Sequence, residues 1–186
     1  MKHLNWCKTA REKQITPKGD WNVWLILAGR GWGKTRTGAQ DIAFYGLTRP
    51  NSRIAIVTPT FGDGRDTCVE GVSGLLGCID SDNIENWNRS IGELTLKNGT
   101  IYKTFSAEQP DRLRGPQFHR AWCDELGSWK NADAWDQLLF GLRLGENPQI
   151  VVTTTPKPTD IIKELVSSKD SLVTRGSTFE NKDNLA

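Results

Sequence analysis

The stretch LILAGRGWGKTRTGAQ, residues 25–40, runs from an apolar segment through three closely spaced glycines into Lys34 and Thr35. Glycine weakens helices and strands because it leaves the unfolded chain very free, so a cluster of glycines needs a reason. Before the cluster, residues 21–28 are almost continuously apolar, which is typical of a strand buried on both faces. After it, apolar residues recur at helical spacing as far as Pro50, where we expect the helix to stop. The stretch therefore predicts a strand, a glycine-rich loop and a helix.

A loop in this position has the properties needed to bind a chain of phosphates. Small residues let backbone N–H groups point at the anion, a lysine reaches the β- and γ-phosphates, and a hydroxyl binds magnesium. The positive end of the following helix adds to the attraction. A GKT triplet alone is weak evidence, but its place between a strand and a helix favours nucleotide binding over a structural turn. The predicted nucleotide-binding residues are Ala28, Gly29, Arg30, Gly31, Trp32, Gly33, Lys34, Thr35 and Arg36. Because Ala28 stands where the usual pattern begins with glycine, we expect the first turn to differ slightly.

Composition places the chain among soluble globular domains. It has 186 residues, of which 37% are hydrophobic and 25% charged, enough for one domain with a sizeable core. The formal charge of +2 is too small to indicate nucleic-acid binding, so any basic surface would be local. Four cysteines without a CxxC pair argue against a zinc site or a disulfide framework and favour a reducing compartment. Neither a signal peptide nor a membrane span is expected.

The remaining sequence alternates between strand and helix patterns. Strands are predicted over 53–60, 119–124, 148–158 and 171–179, a hairpin over 93–96 and 100–105 around Asn98-Gly99, and helices over 131–145 and 159–169, with a short helix within 62–77. In the 131–145 helix, Ala134, Leu138 and Leu142 are predicted to share one face. The alternation predicts a three-layer α/β fold, with a mostly parallel central sheet and helices on both faces.

Two adjacent acidic residues follow the strand predicted to end at Asp124. Magnesium-dependent hydrolysis needs one carboxylate for the metal and a second group to orient the attacking water. An Asp-Glu pair is often merely solvated surface, but one that follows a strand downstream of a phosphate loop favours a functional role. We therefore expect Asp124, with Thr35, to bind magnesium and Glu125 to act as the general base.

The segments WNVWLILAGRGWGKTRTGA, PDRLRGPQFHRAWCDELGSW and IVVTTTPKP together resemble the ATPase domain of bacteriophage large terminases, the motors that package DNA into procapsids. The resemblance covers nearly the whole chain in the correct order. It implies a P-loop NTPase of the additional-strand (ASCE) type, in which the strand ending at Thr153, Thr154 and Thr155 lies between the phosphate-loop strand and the acidic strand. It also implies hydrolysis of ATP with Mg²⁺ to drive translocation of double-stranded DNA.

The resemblance also assigns roles to single residues. Lys34 and Thr35 match the phosphate and magnesium residues, and Arg30 matches an extra catalytic basic residue of terminase loops, its alternative being a solvent-facing arginine. Thr153, Thr154 and Thr155 match a segment that couples hydrolysis to movement, although the β-propensity of threonine could also account for them.

Two further roles come from the same resemblance. Gln14, in KQITP, matches a residue that reads the adenine edge. Arg114, eleven residues before Glu125, resembles an arginine finger acting on a neighbouring subunit, a role that suits a permanently charged, forked guanidinium. Arg112 is the rival candidate, and a plain surface ion pair is the alternative.

The chain is interpreted as one ATPase domain over residues 1–186, with 1–20 on the adenine side and 160–186 as a C-terminal part open to continuation. Complete terminases carry a C-terminal RNase H-like nuclease, and no such region follows Ala186, so we expect no DNA cleavage from this chain. The implied partners are double-stranded DNA, the portal and procapsid, the small terminase subunit and, in a ring, further copies of a chain that is monomeric alone, all in the host cell cytoplasm. A helicase-like ATPase and a non-hydrolysing nucleotide-binding module stay open as alternatives.

Overall fold

The computed structural model describes residues 2–184 as a single mixed sheet covered by helices. The strands are β1 (Val23–Ala28), β2 (Arg53–Thr58), β3 (Ile84–Asn88), β4 (Glu93–Leu96), β5 (Ile101–Ser106), β6 (Arg120–Asp124), β7 (Gln149–Thr154) and β8 (Ser171–Gly176). The α-helices are α1 (Lys2–Thr9), α2 (Lys34–Thr48), α3 (Leu75–Cys78), α4 (Asp133–Gly141) and α5 (Asp160–Ser167). A π-helix spans Asp63–Val69, and 3₁₀ turns occur at Glu12–Gln14, Ser81–Asn83, Pro110–Leu113, Leu126–Ser128 and Thr178–Asn184.

The strand order is β3-β4-β5-β2-β6-β7-β1-β8. All neighbours from β5 to β8 are parallel, whereas β3, β4 and β5 form an antiparallel meander. β7 pairs with β1 on one side and β6 on the other. The phosphate-loop strand and the acidic strand are therefore separated by one inserted strand, which confirms the predicted additional-strand arrangement.

Both faces of the sheet are buried. Trp24 and Ile26 of β1 pack into the core cluster that contains α2, and Leu25 and Leu27 pack into the cluster that contains α4 and α5. Neighbouring side chains of a strand point to opposite faces, so a strand covered twice must be apolar throughout. None of the helices described between residues 2 and 184 is long and apolar enough to cross a membrane.

Several predicted boundaries need correction. The helix expected over 131–145 ends at Gly141, where an added Cβ would lie 2.8 Å from the carbonyl oxygen of Pro116. Leu142 therefore lies beyond the helix, although it still packs against the α4 side of the core. The last strand ends at Gly176 instead of continuing to 179, and β2 ends at Thr58.

The hairpin prediction is confirmed, and Gly99 in its turn has a φ of +84°. The sequence reading missed α1 and β3. β3 is an edge strand whose side chains are exposed or half-buried, so it lacks the apolar alternation that marks a strand in sequence.

Candidate nucleotide site

Two of the three glycines of the loop occupy backbone conformations that other residues rarely adopt. Gly31 has a φ of +74°, and Gly33, which caps α2, has a φ of +98°. An L side chain is strained at both positions. Ala28, by contrast, still belongs to β1 and pairs with Gly176, so the departure from the usual pattern falls on a strand residue.

Lys34 joins this loop to the acidic pair. Its ammonium group donates a hydrogen bond to the carbonyl oxygen of Gly29 at 3.1 Å and lies 3.9 Å from Glu125 Oε1. The side chain is only 8% exposed. Burial lowers the pKa of Lys34 and nearby Arg30 adds to this effect, while the carboxylates of Glu125 and Asp124 oppose it.

Asp124 ends β6 with a buried carboxyl group. Oδ1 accepts a hydrogen bond from Thr153 Oγ1 at 2.6 Å, and Oδ2 accepts a longer one from Cys68 Sγ at 3.5 Å. The indole of Trp122 in turn donates to Thr153 Oγ1 at 2.7 Å. Desolvation raises the pKa of Asp124 to about 6 despite these donors, and Glu125 adds to the increase. A cation beside this carboxylate would offset that cost.

Glu125 has an unusual backbone conformation. Its φ of +49° is positive, which is uncommon for a residue other than glycine and costs on the order of 1–3 kcal/mol. Its N–H bonds to the carbonyl oxygen of Thr153 at 2.6 Å, and Oε2 accepts a hydrogen bond from Thr155 Oγ1 at 3.0 Å. The chain thus turns sharply after Asp124 and holds two adjacent carboxylates in different surroundings.

Each of the three consecutive threonines at the end of β7, of which Thr155 lies just beyond the strand, has a separate contact. Thr153 bonds to Asp124, Thr155 bonds to Glu125, and the hydroxyl of Thr154 accepts from the N–H of Gly127 at 3.1 Å. β-propensity alone does not require three bonded hydroxyls. The segment therefore links the inserted strand to both acidic residues and to the turn after them.

A cavity of about 450 Å³ opens beside the loop. Its lining residues are Gly31, Gly33, Lys34, Thr35, Arg36, Thr67, Gly71, Val72, Ser73 and Asn181. The sequence reading predicted the first five and missed the rest, which lie in separate parts of the chain without a recognisable motif. Two larger cavities, of about 570 and 470 Å³, contain no residue of this loop, so size does not identify the site. The loop chemistry favours the smaller cavity.

The proposed metal ligands offer suitable chemistry for magnesium. Thr35 supplies a hydroxyl oxygen and Asp124 a carboxylate, and Mg²⁺ prefers such hard oxygen ligands, completing its shell with waters and phosphates. No cluster of three or more histidine, cysteine or acidic side chains able to hold a metal occurs among the described residues. A site built on one hydroxyl and one carboxylate does not need such a cluster.

Gln14 lies against the start of α2. Its side chain is buried, with Nε2 donating to Thr37 Oγ1 at 3.2 Å and Oε1 accepting from the N–H of Arg11 at 3.2 Å. A Cβ on Gly33 would lie 2.8 Å from the same Nε2. The residue therefore contacts the loop, and its role at the adenine base stays a prediction. Arg30 is exposed on the loop.

The two candidate arginine-finger residues, Arg112 and Arg114, lie on the connection between β5 and β6. Arg114 follows the 3₁₀ turn between β5 and β6, lines a cavity together with residues of α4, and forms an exposed ion pair with Asp111 at 3.2 Å. Arg112 lines the separate 570 Å³ cavity. Neither arginine lines the 450 Å³ cavity beside the phosphate loop.

The fold is that of a P-loop nucleoside triphosphatase of the additional-strand type. Its defining features are a glycine-rich loop with a buried lysine, an acidic pair at the end of a parallel strand, and one strand inserted between the two. The family described as "Terminase large subunit, T4likevirus-type, N-terminal" matches residues 25–169. The chain belongs to this family. It is thus the ATPase domain of a viral DNA-packaging motor, as the sequence predicted. No curated protein matches the chain.

Solved structures with the same fold include the ATPase domain of the Thermus phage P74-26 large terminase, with a TM-score of 0.73 and 15% identity over 90% of this chain and 80% of that one. The large terminase of a thermophilic bacteriophage in complex with ATP-gamma-S gives a TM-score of 0.69 and 15% identity over 100% of this chain and 45% of that one. The HK97 bacteriophage large terminase gives a TM-score of 0.65 and 18% identity over 87% of this chain and 36% of that one. The chain thus spans less than half of the two longer terminases.

Proposed function

We propose that this chain binds ATP with magnesium in the cavity beside residues 28–36 and hydrolyses it to drive double-stranded DNA into a procapsid. The contact of Lys34 with both Gly29 and Glu125 carries the proposal, because it joins the phosphate loop to the acidic pair. The related terminase bound to ATP-gamma-S supports the same ligand class.

Lys34 has the properties of a residue that exchanges its partners for phosphate. Its present contacts are a neutral carbonyl at 3.1 Å and a carboxylate at 3.9 Å, which is long for an ion pair. Burial lowers the pKa of Lys34 although Glu125 and Asp124 oppose the shift, so a further anion would favour the charged form. The β- and γ-phosphates would supply charged hydrogen bonds at this position, and Arg30 would add a second positive charge.

Thr35 and Asp124 would hold magnesium, which neutralises charge on the phosphate oxygens. Glu125 would orient the attacking water and accept its proton. Thr155 Oγ1 holds Oε2 of this carboxylate, and Oε1 faces Lys34. This arrangement argues against a module that only binds nucleotide, since binding alone does not require a strained, oriented second carboxylate.

Arg114 is proposed to act on a neighbouring subunit of a ring. Its side chain is 63% exposed and pairs with Asp111 at 3.2 Å on the surface, so it is accessible to a neighbouring chain. Membership of the family supports the further proposal of a ring, of the portal and procapsid, the small terminase subunit and DNA as partners, and of the host cytoplasm as the location. Dependence of activity on the procapsid and portal, rather than strand separation, would distinguish this motor from a helicase-like ATPase.

The test compares Lys34→Ala and Glu125→Gln with the exposed substitutions Lys163→Ala and Glu164→Gln on α5. Lys34→Ala is expected to weaken binding of a magnesium–ATP analogue by about 100-fold, since charged hydrogen bonds are lost. Glu125→Gln should bind the analogue within about twofold and hydrolyse ATP about 10²–10⁴ times more slowly, because an amide cannot accept the proton. Both α5 variants should behave as the parent chain.

The outcomes separate the possible functions. If folded Lys34→Ala binds the analogue as well as Lys163→Ala does, the loop is not a nucleotide site. If Glu125→Gln hydrolyses ATP at the parent rate, Glu125 is not the base. Binding without any turnover, even with portal and DNA present, would favour the regulatory module.

A further inference from the structure

Residues 176–181, which we call the strap, run from the end of β8 alongside the phosphate loop. The backbone N–H of Gly29 donates to the carbonyl oxygen of Gly176 at 3.2 Å. A Cβ on Gly29 would lie 2.4 Å from Thr178 Oγ1, so the two backbones approach closely. Asn181 Nδ2 donates to the carbonyl oxygen of Gly31 at 2.6 Å. The strap therefore contacts the loop at successive positions.

Trp32 fastens the loop to the strap through its side chain. The residue is fully buried, although it lies in a glycine-rich loop. Its indole N–H donates to Glu180 Oε2 at 3.2 Å, and a Cβ on Gly176 would lie only 2.1 Å from the indole nitrogen. Glu180 also accepts from the N–H of Ser177 at 3.1 Å and from Lys13 at 3.2 Å. These donors lower the pKa of Glu180, the Ser177 N–H most strongly, and so favour its charged form.

Arg11 completes the enclosure from the N-terminal side. Its guanidinium lies 4.9 Å from the centre of the Trp32 ring and donates through Nη2 to the Trp32 carbonyl oxygen. Through Nη1 it donates to Asn181 Oδ1 at 2.7 Å. One arginine thus connects the buried loop tryptophan to the strap.

The contacts on the loop carbonyls have a geometric consequence. In a planar trans peptide, the C=O of one residue and the N–H of the next point in opposite directions. Binding the Trp32 carbonyl to Arg11 therefore turns the N–H of Gly33 the other way. A phosphate loop depends on such N–H groups facing the anion.

We propose that the strap, with Arg11, sets the conformation of the phosphate loop, and that Trp32, Glu180 and Asn181 are positioning residues for the triphosphate. The inference rests on the proposed ATP-binding function. It predicts that phosphate affinity changes when the strap is released, even though Glu180 is absent from the lining of the cavity.

The test measures the Kd of a magnesium–ATP analogue for the folded chain, together with the free energy of unfolding in urea. Glu180→Ala and Trp32→Phe, which replaces the indole with a smaller aromatic ring that has no N–H, should each raise the Kd about tenfold, the loss expected for one charge-assisted hydrogen bond. The double variant should be no weaker than either single one, because both remove the same contact. Asn181→Ala removes a different contact, the hydrogen bond to the Gly31 carbonyl oxygen. Its increase in Kd should therefore add to that of Glu180→Ala or Trp32→Phe.

Two controls distinguish positioning from a general loss of stability. Glu180→Gln keeps an acceptor oxygen for the indole and should recover most of the affinity. Phe179→Ala alters an adjacent strap side chain that is 83% exposed and should bind as the parent does. A purely structural strap would lower the free energy of unfolding without changing the Kd of the folded chain.

The outcomes also separate this inference from the proposed function. If the parent chain binds no nucleotide, the proposed function itself is wrong. If the parent binds ATP and the Glu180, Trp32 and Asn181 variants bind it equally well, the function stands and the positioning role is refuted. Additive losses in the Glu180/Trp32 double variant would refute the shared contact.

Discussion

Replacing Asp124 with asparagine is expected to stabilise the nucleotide-free chain while removing the proposed magnesium ligand. The carboxyl group is buried at the end of β6, and desolvation is the main cause that raises its pKa from 3.8 to about 6. At 1.36 kcal/mol per pH unit, keeping this group ionised at pH 7 costs about 3 kcal/mol of folding free energy. Asparagine is of similar size and can still accept the hydrogen bond from Thr153, so the charge is removed without leaving a cavity.

The pH dependence follows from the direction of the shift. Because the pKa of Asp124 is higher in the folded chain than in the unfolded one, the folded state binds more protons between pH 3.8 and about 6. The contribution of this group to stability is therefore fully present below pH 3.8 and is lost as the pH rises through about 6. The asparagine variant has no such titration, so its advantage should be small at pH 4 and reach about 3 kcal/mol at pH 7.

Urea unfolding at both pH values, without nucleotide and with a chelator present, measures this difference. Asp170→Asn, at an exposed position before β8, is the matched control and should change stability little at either pH. The reasoning would be refuted if Asp124→Asn were less stable than the parent at pH 7, or if its gain in unfolding free energy were equal at both pH values. Loss of magnesium-dependent turnover should accompany the gain in stability.

Two further predictions test the ring and the core beneath the site. If Arg114 acts between subunits, specific ATPase activity should rise with protein concentration, and Arg114→Ala should remove that rise, because an arginine finger is worth about 10³–10⁵ in rate. Mixing the Arg114→Ala and Glu125→Gln variants should restore some turnover. No restored turnover on mixing would contradict action between subunits. Gly38→Ala should destabilise the chain by about 1–3 kcal/mol in urea unfolding, since its Cβ would lie 2.3 Å from the indole nitrogen of Trp122. Gly62→Ala, where the nearest atom is 3.7 Å away, is the control; equal stability of the two variants would show that the packing contact is unimportant.

The phosphate loop and the acidic pair could be predicted from the sequence because their chemistry is local. A run of small residues ending in Lys34 and Thr35 has few other uses after a buried strand, and the doubly buried β1 is apolar along its length. The hairpin around Gly99 could also be predicted from the sequence, because its turn requires a positive φ, which glycine adopts easily. The place of β7 between β1 and β6 came from the family resemblance, because nothing within a strand's own sequence states its neighbours.

Other features depend on long-range packing and became visible only in the tertiary structure. The edge strand β3 lacks an apolar pattern because pairing with β4, not burial, defines it. The sequence places Trp32 in the phosphate loop. Its burial against Gly176, however, depends on contacts between residues nearly 150 positions apart in the chain. The separation of β5 from β1 likewise results from the order in which distant segments pair in the sheet. Local sequence thus determined which groups are available for the chemistry, and the folding of distant segments onto one sheet determined which of them meet.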